Sequence, residues 1–485
     1  MTEKMDKKQQ IFTMNDRNLS VIVFSLFSAW LLAVPFEGRI LFSLLNFYQV
    51  PSQPIIFGSM AAHCAGLILC GFIVRNMRAA KKLMLFSIAF CIAASVVLFF
   101  PPSLFWEAVL FLSSFLAGCC VTAWGYFLKN GTPEGERITT IADMLIFCYI
   151  LTTLLGKAAS DISPHTGLGL SILPLITAFI FALRLPEKEQ AQNLQADKQP
   201  KNPISIAKPL TYLCLFIVVI AINAGLMFQV QYPAFAHLEW LTSWYWAAPY
   251  IVAVFVMRNL PFKTNRNYIL YAAIAMTGFS FIAFIVLDRS AVTYLVVNTL
   301  MQGAFGVFNL FWWSILGEML SFHKNAAKVL GAGLFANVLG VLIGVLIGNM
   351  PSFVNGQSQN PTLLALSVVC ITLVMLPPLN GHLSVLLKNH AYLTALCEMP
   401  QQEQTHLIRD FGLEKKLTER EREIASLLFM GKTYKVIAEE LCVSENTVKT
   451  HANNIYKKVG VHNRTELMNS LLDINPIFTD TFKSQ

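Results

Sequence analysis

The chain has 485 residues, of which 55% are hydrophobic and 13% are charged, and its formal net charge is +8. So little charge for so much apolar content excludes a water-soluble multidomain protein and places most of the chain in lipid. The charged residues are unevenly distributed, because residues 1–380 contain long runs almost free of charge whereas Arg409 to Arg464 is rich in it. We therefore predict a large membrane part followed by a small water-soluble part.

Apolar runs of about 17 to 25 residues are long enough to cross a ~30 Å hydrocarbon core as helices. The sequence contains twelve such runs, which predicts an all-α fold with a polytopic membrane helix bundle. We expect this membrane domain to cover residues 19–381, after an N-terminal tail at 1–18. The approximate spans are 19–36, 54–74, 83–100, 105–128, 138–157, 167–183, 209–229, 243–258, 268–287, 291–316, 328–348 and 363–380.

Lys and Arg in the connections between spans predict the orientation of the bundle. They are concentrated in the N-terminal tail and in every second connection, whereas the remaining connections contain only Arg39, Lys157 and Arg289. The rule that cytoplasmic loops are positive therefore predicts a cytoplasmic N-terminus. An even number of spans then predicts a cytoplasmic C-terminus, in an inner (cytoplasmic) membrane.

The longest connection, residues 184–209, is polar and divides the spans into six and six. This arrangement resembles the major facilitator superfamily, in which two six-helix halves move about a cavity at the middle of the membrane. Transporters of that superfamily usually carry a signature with an acidic residue and paired glycines between spans two and three. The corresponding stretch, Gly71 to Lys82, keeps basic residues but has no acidic residue and no second glycine. This departure argues against active transport.

After the last span we expect a connector at residues 382–416 and a compact four-helix domain at 417–472, followed by a tail at 473–485. Thr418 and Glu421 have the spacing of a capping box at the start of the first helix, which Gly431 would end. Residues that can cap the other three helices are Thr433, Ser444 and Asn463, and Gly460 would end the third helix. Only the residues 442–444 separate the second and third helices, which predicts a helix-turn-helix.

Four ordered segments of this block are LTERE at 417–421, IAEEL at 437–441, SENTVKTH at 444–451 and KKVGV at 457–461. They resemble the LuxR-type DNA-binding domain almost throughout. The family usually has Leu where Val459 stands, which is a mild apolar exchange. The resemblance implies that the third helix enters a groove of double-stranded DNA and that the protein binds paired half-sites as a homodimer.

By this resemblance, the third helix supplies the DNA contacts, and its apolar residues face the domain core. The candidates for base edges are Lys449, Thr450 and Asn453, and the candidates for phosphates are Thr447, His451, Lys457 and Lys458. Asn454 lies on the same solvent-facing side and is included in the predicted DNA-binding surface. The alternative from charge alone is a basic helix lying on anionic lipid. The ordered motifs favour DNA.

Polar residues inside spans are costly, so they usually face a cavity or a partner helix. Span 10 places Asn298, Gln302, Phe305 and Asn309 on one helical stripe, which predicts the lining of a ligand cavity or, alternatively, hydrogen bonds between spans. Asp143 in span 5 and His63 in span 2 are further candidates for a ligand or proton site.

The combined prediction is a membrane-embedded one-component regulator that senses an unknown small molecule and binds DNA. Two alternatives stay open, namely an active secondary transporter with a regulatory DNA-binding tail, and a membrane-anchored regulator without ligand sensing. The sequence contains no nucleophile elbow, phosphate-binding glycine loop or zinc-protease motif, so we predict no enzymatic activity, no cofactor and no metal site.

Overall fold

The computed structural model describes residues 15–36, 38–133, 136–187, 206–260, 266–349, 365–383, 401–430, 432, 434–462 and 464–472. Several predicted features lie wholly or mostly outside these residues: the tails 1–18 and 473–485, the central connection 184–209, part of the connector 382–416, the ending Gly431 and the caps Thr433 and Asn463.

Twelve helices in the described residues are long and apolar enough to cross a membrane, which confirms the predicted number. Their bounds are Asp16–Ala33, Ser52–Ile73, Met77–Val97, Leu104–Gly131, Arg137–Asp161, Pro164–Leu183, Ala207–Ala234, Ala236–Arg258, Tyr268–Val286, Ala291–Phe322, Ala326–Gly348 and Ala365–Leu383. We call them spans 1 to 12, and spans 1–6 and 7–12 the two halves.

Two local features differ from the sequence prediction. A nine-residue helix, Arg39–Phe47, follows span 1 and is too short to cross lipid, so no hydropathy criterion finds it. We call it the linker helix. Span 7 contains a π-helical turn at Met227–Gln231, and such turns are frequent at functional sites.

Small residues allow neighbouring spans to approach closely, which is a common basis of helix association in lipid. Gly66 of span 2 and Gly118 of span 4 face each other. A Cβ atom built on Gly66 would lie 2.0 Å from the carbonyl oxygen of Phe115, and one on Gly118 would lie 2.4 Å from that of His63. A side chain at either position would therefore push these two spans apart.

The helices after the last span belong to a second compact unit. They are α1 (Gln401–Glu414), α2 (Glu419–Phe429), α3 (Tyr434–Glu440), α4 (Glu445–Val459) and α5 (Arg464–Leu472). Helices α2 to α5 correspond to the four predicted helices. Helix α1 lies within the segment that the sequence analysis treated as a polar connector, and its Ile408 and Phe411 are buried in the same apolar core as Ile424 and Ile455.

Local hydrogen bonds define the ends of these helices. The capping box predicted at Thr418 is present, with the Thr418 side chain accepting from the backbone N–H of Glu421 and the Glu421 carboxylate accepting from that of Thr418. Ser444 caps α4, and Gly460 ends it in the left-handed conformation at φ = 80°, where glycine carries no steric penalty. Arg464 donates to the carbonyl oxygens of Leu428 and Lys432, which lie at and beyond the end of α2.

Candidate nucleic-acid interface and candidate ligand site

Helix α4 presents one apolar and one polar face. Its apolar side chains Val448, Ala452, Ile455 and Tyr456 are buried in the domain core. On the other side, seven of the eight predicted DNA-binding residues are exposed, namely Thr447, Lys449, Thr450, Asn453, Asn454, Lys457 and Lys458. The eighth, His451, is half-buried. The helix therefore has the division of faces that a helix in the major groove requires.

An ion pair lies on the exposed face of α4. The Lys449 Nζ atom is 2.9 Å from a carboxylate oxygen of Glu445, one turn earlier in the helix. An acidic residue in the first turn interacts favourably with the helix dipole. A carboxylate on a surface that approaches DNA is, however, repelled by the phosphates. Sequence reasoning missed Glu445, although the i, i+4 spacing of opposite charges is a recognisable signal.

We expect Glu445→Gln to strengthen binding to non-specific duplex DNA at low salt by about 3- to 10-fold, because the change removes a repelled charge and releases Lys449. Fluorescence anisotropy with a random-sequence duplex measures this affinity. The matched control is Glu423→Gln, which removes a carboxylate paired with Arg420 on α2. Equal affinities for the wild-type chain and Glu445→Gln would contradict the prediction.

Lys458 lies next to the capping box rather than on an isolated stretch of surface. Its Nζ atom is 2.5 Å from Oε2 of Glu421, a residue that is only 4% exposed. The same carboxylate oxygen accepts hydrogen bonds from the backbone N–H and the hydroxyl of Thr418. These interactions hold the pKa of the Glu421 carboxyl below its ordinary value despite the opposing effect of burial. Lys458 thereby links α4 to the start of α2, and its predicted phosphate contact stays a prediction.

The domain that contains α4 and the capping box matches a family of known proteins. Residues 415–471 match the family described as bacterial regulatory proteins, luxR family. The spore germination protein GerE of Bacillus subtilis is 44% identical over 64 residues, which make up 13% of this chain and 86% of GerE. The chain belongs to the LuxR family.

Other relatives of this LuxR-family chain are longer than the matched domain. The CsgBAC operon transcriptional regulatory protein of Escherichia coli is 52% identical over 50 residues, or 10% of this chain and 23% of that protein. The transcriptional regulatory protein LiaR of Bacillus subtilis is 50% identical over 52 residues, or 11% of this chain and 25% of that protein. The chain thus spans a quarter or less of these two relatives, within the DNA-binding domain.

The membrane part of the LuxR-family chain is similar to transporters of the major facilitator type. The human organic anion transporter MFSD10 superimposes with a TM-score of 0.58 at 13% identity, covering 74% of this chain and 99% of the transporter. A bacterial homologue of the iron transporter ferroportin gives a TM-score of 0.56 at 13% identity, covering 76% and 98%. At this identity the similarity concerns the fold alone, and it confirms the major facilitator-like architecture.

The polar stripe predicted on span 10 faces spans 7 and 8. Gln302 donates to the hydroxyl of Tyr232 at 2.6 Å. Asn298 donates to the carbonyl oxygen of Tyr245 at 3.2 Å. The stripe therefore makes hydrogen bonds between spans, which was the alternative interpretation. These bonds join span 10 to a side chain of span 7 and to the backbone of span 8.

Asn309 extends the stripe towards the first half of the bundle. It donates to the Tyr250 hydroxyl at 3.1 Å, and the Tyr250 ring stacks on Tyr149 of span 5 with 3.9 Å between ring centroids. Tyr149 and Tyr250 therefore join the two halves near the stripe. Neither tyrosine could be predicted from the sequence, because isolated tyrosines in apolar runs carry no periodic signal.

His63 and Asp143 lie apart from this stripe. His63 is buried, its Nδ1 atom is 3.1 Å from the carbonyl oxygen of Ser114, and it thus links span 2 to span 4. Asp143 forms ion pairs with Arg258 of span 8 at 2.6 Å and with Arg17 of span 1 at 3.3 Å. Asp143 thus connects the two halves, and the structure does not bring it together with Asn298 and Gln302.

Further contacts between halves surround this ion pair. Buried Arg137 of span 5 donates to the carbonyl oxygen of Gly317 and the hydroxyl of Ser321 in span 10. Asn325, the N-cap of span 11, donates to the carbonyl oxygens of Gly71 and Val74 at the end of span 2. The halves are thus joined at the end of the bundle where span 1 begins.

Proposed function

We propose that this protein is a one-component transcriptional regulator of the bacterial cytoplasmic membrane, in which a small ligand bound among the spans controls DNA binding by the C-terminal domain. The exposed polar face of α4, in the same chain as twelve apolar spans, is the observation that carries this proposal. Both termini lie in the cytoplasm, because the number of spans is even and the N-terminal tail is basic.

The DNA-binding domain acts as a homodimer. In helix-turn-helix dimers the two recognition helices contact half-sites about 34 Å apart along the duplex, one helical turn, so each copy of α4 reads one half-site. Lys449, Thr450 and Asn453 contact base edges, while Thr447, His451, Asn454 and Lys457 hold the backbone. Lys458 orders α4 against α2 through Glu421 and adds positive potential next to the phosphates.

The membrane domain has two states. In one state the two halves are in contact at the cytoplasmic end of the bundle, and in the other they are in contact at the opposite end. A ligand shifts the balance between them only if its affinity differs between the two states. Asp143, Arg258 and Arg137 hold the halves together at the cytoplasmic end, so a ligand that separates the halves at this end changes the position of the tethered DNA-binding domain. Asn298, Gln302 and Asn309 belong to the ligand-binding surface.

Asp143→Asn tests this coupling. The change removes an ion pair between the halves that is partly exposed to solvent. It should therefore destabilise the state in which the halves are in contact at the cytoplasmic end by about 1 kcal/mol, which shifts the ratio of the two states about fivefold. Transcription from a responsive promoter in cells without added ligand should change by a similar factor.

The matched control is Asp161→Asn, which removes a carboxylate that pairs with Lys157 inside the same span. The control should leave basal transcription unchanged. Equal transcription in the wild-type and Asp143→Asn strains, with both chains in the membrane at equal amounts, would argue against coupling through this ion pair.

A screen of small molecules against transcriptional reporters behind promoters near the gene tests the whole proposal. We expect a compound that changes reporter output with the wild-type chain and has no effect with Gln302→Leu. A response that Gln302→Leu and Asp143→Asn both leave unchanged would favour a membrane anchor without ligand sensing. Uptake of the compound into proteoliposomes would favour a working transporter with a regulatory tail.

A further inference from the structure

An arginine lies at the end of the bundle opposite the Asp143 ion pairs. Arg39 begins the linker helix that follows span 1, whereas Arg17 is at the start of that span. The Arg39 stem packs on Gly156 of span 5, where an added Cβ atom would lie 3.2 Å from Cδ of Arg39. Its guanidinium donates to the carbonyl oxygen of Thr242 in span 8. Arg39 thus reaches from one half of the bundle to the other.

The charge of Arg39 is incompletely compensated. Carboxylates lie within 4.0 Å of Arg17 and of Arg258, but within the described ranges Arg39 has no such ion pair. A carbonyl oxygen accepts a hydrogen bond without carrying a full negative charge. Burial lowers the pKa of Arg39 from its ordinary value, although the side chain is only half-buried.

The side chains around Arg39 include hydroxyl groups of the second half. The hydroxyl groups of Tyr232 in span 7 and Tyr294 in span 10, together with the exposed Glu239, lie close enough to Arg39 to influence its guanidinium electrostatically. Tyr294, Asn298 and Gln302 follow one another at intervals of four residues, so they lie on the same face of span 10. Gln302 donates to the Tyr232 hydroxyl, which joins this face to span 7. The stripe therefore continues towards the guanidinium.

Two buried polar atoms on this face lack hydrogen-bond partners. Tyr294 is 1% exposed and Asn298 is 3% exposed. Neither the Tyr294 hydroxyl nor Oδ1 of Asn298 has a partner in the part of the chain that the structure describes. A buried polar group without a partner destabilises the fold, so such groups need a specific explanation. A bound ligand that supplies both partners would remove this cost.

We propose that Arg39, Tyr294 and Asn298 bind a small organic acid that carries a carboxylate and a neighbouring hydroxyl or amino group. The guanidinium and the Tyr294 hydroxyl donate hydrogen bonds to the carboxylate, and the charge of the carboxylate strengthens both bonds. Oδ1 of Asn298 accepts from the hydroxyl or amino group of the acid. The rings of Tyr232 and Tyr245 cover its apolar part. This assignment rests on the proposed function, since it specifies the ligand class of the same membrane domain.

The test measures binding to the full chain in lipid nanodiscs by isothermal titration, with lactate and 3-phenyllactate as probes. Propionate and 3-phenylpropionate lack the hydroxyl group, and lactamide and 3-phenyllactamide lack the charge, so they are matched comparisons for the two acids. We expect at least one of the two hydroxy acids to bind, its analogue without the hydroxyl group to bind more weakly, and its amide not to bind. Failure of both hydroxy acids to bind the wild-type chain, or equal binding of the acid that binds and its amide, would overturn the assignment.

Variants separate a binding role from a structural one. Arg39→Gln should weaken hydroxy acid binding by about 100-fold, because it removes a charged partner. Tyr294→Phe should weaken binding by about 10-fold, without lowering the unfolding midpoint of the unliganded protein, because the hydroxyl that it removes has no partner to lose. Lys157→Gln, a change of charge at the same end of the bundle, should leave binding unchanged. Unaltered affinity in both Arg39→Gln and Tyr294→Phe would overturn the proposal.

DNA binding by the same nanodisc preparations distinguishes this inference from the proposed function. If a hydroxy acid binds through Arg39 but leaves DNA binding and transcription unchanged, the site stands and the sensing role fails. If neither hydroxy acid binds while the chain still binds DNA and responds to another compound, the site assignment fails and the proposed function stands.

Discussion

Lys449→Ala is expected to weaken binding to the preferred DNA site of the protein by about 10- to 100-fold, the cost of losing one good base contact. Lys449 is exposed in the second turn of α4, between buried Val448 and the exposed Thr450. Its side chain has no role in the domain core, and its ion pair with Glu445 is on the surface. The loss should therefore concern DNA binding rather than folding.

The measurement uses duplexes selected from a random library by the wild-type full-length chain in nanodiscs. Their affinity for Lys449→Ala should fall towards that of an unselected duplex. Lys415→Ala is the matched control, since it removes a lysine paired with Glu414 outside the helix-turn-helix. If Lys449→Ala retained the wild-type preference for selected over unselected duplexes, Lys449 would not read bases.

Glu421→Ala is expected to destabilise the DNA-binding domain by about 2–3 kcal/mol, a large part of the stability of a small domain. The change removes three hydrogen bonds to one carboxylate, two from Thr418 and one from Lys458. It leaves the backbone N–H of Thr418 and the ammonium group of Lys458 without that acceptor. Both the start of α2 and its connection to α4 should weaken.

Hydrogen exchange of the full chain measures this effect, because backbone amides of α2 and α4 report the local stability of the domain. Exchange of these amides should accelerate in Glu421→Ala, while that of the membrane spans should not change. Glu419→Ala is the matched control, since Glu419 is exposed and lies outside the capping box. Equal acceleration by the two changes would contradict the special role of Glu421.

The same carboxylate predicts how domain stability depends on pH. The folded-state pKa of Glu421 is lowered from an ordinary value of 4.5, so the folded state binds the proton less readily than the unfolded state. The contribution of the Glu421 carboxylate to the free energy of unfolding is therefore fully present above pH 4.5, and it is lost as the pH falls through the folded-state pKa. Protection of α2 and α4 should decrease in this acidic range in the wild-type chain and change less in Glu421→Gln.

The features that the sequence predicted well are determined by local patterns. Span number follows from the length of apolar runs, and the capping box at Thr418, the cap at Ser444 and the left-handed Gly460 each depend on residues within one helical turn. Orientation of α4 follows from the spacing of its apolar residues. These signals need no knowledge of the tertiary structure.

The features that the sequence did not predict depend on distant partners or short elements. The ion pair of Asp143 could not be predicted, because its partner Arg258 lies 115 positions later in the chain. The ion pair of Lys458 could not be predicted either, because its partner Glu421 lies 37 positions earlier. Helix α1 is polar apart from a few residues such as Ile408 and Phe411, and only the domain core makes their burial evident.

The most direct test of the account is immunoprecipitation of the full-length chain, crosslinked to the chromosome in living cells, from the membrane fraction. We expect specific chromosomal segments to be enriched with the wild-type chain and lost with Lys449→Ala, although both chains are inserted in the membrane. An absence of any enrichment from the membrane fraction, or an enrichment that Lys449→Ala shares, would contradict the claim that the membrane-embedded chain reads DNA through α4.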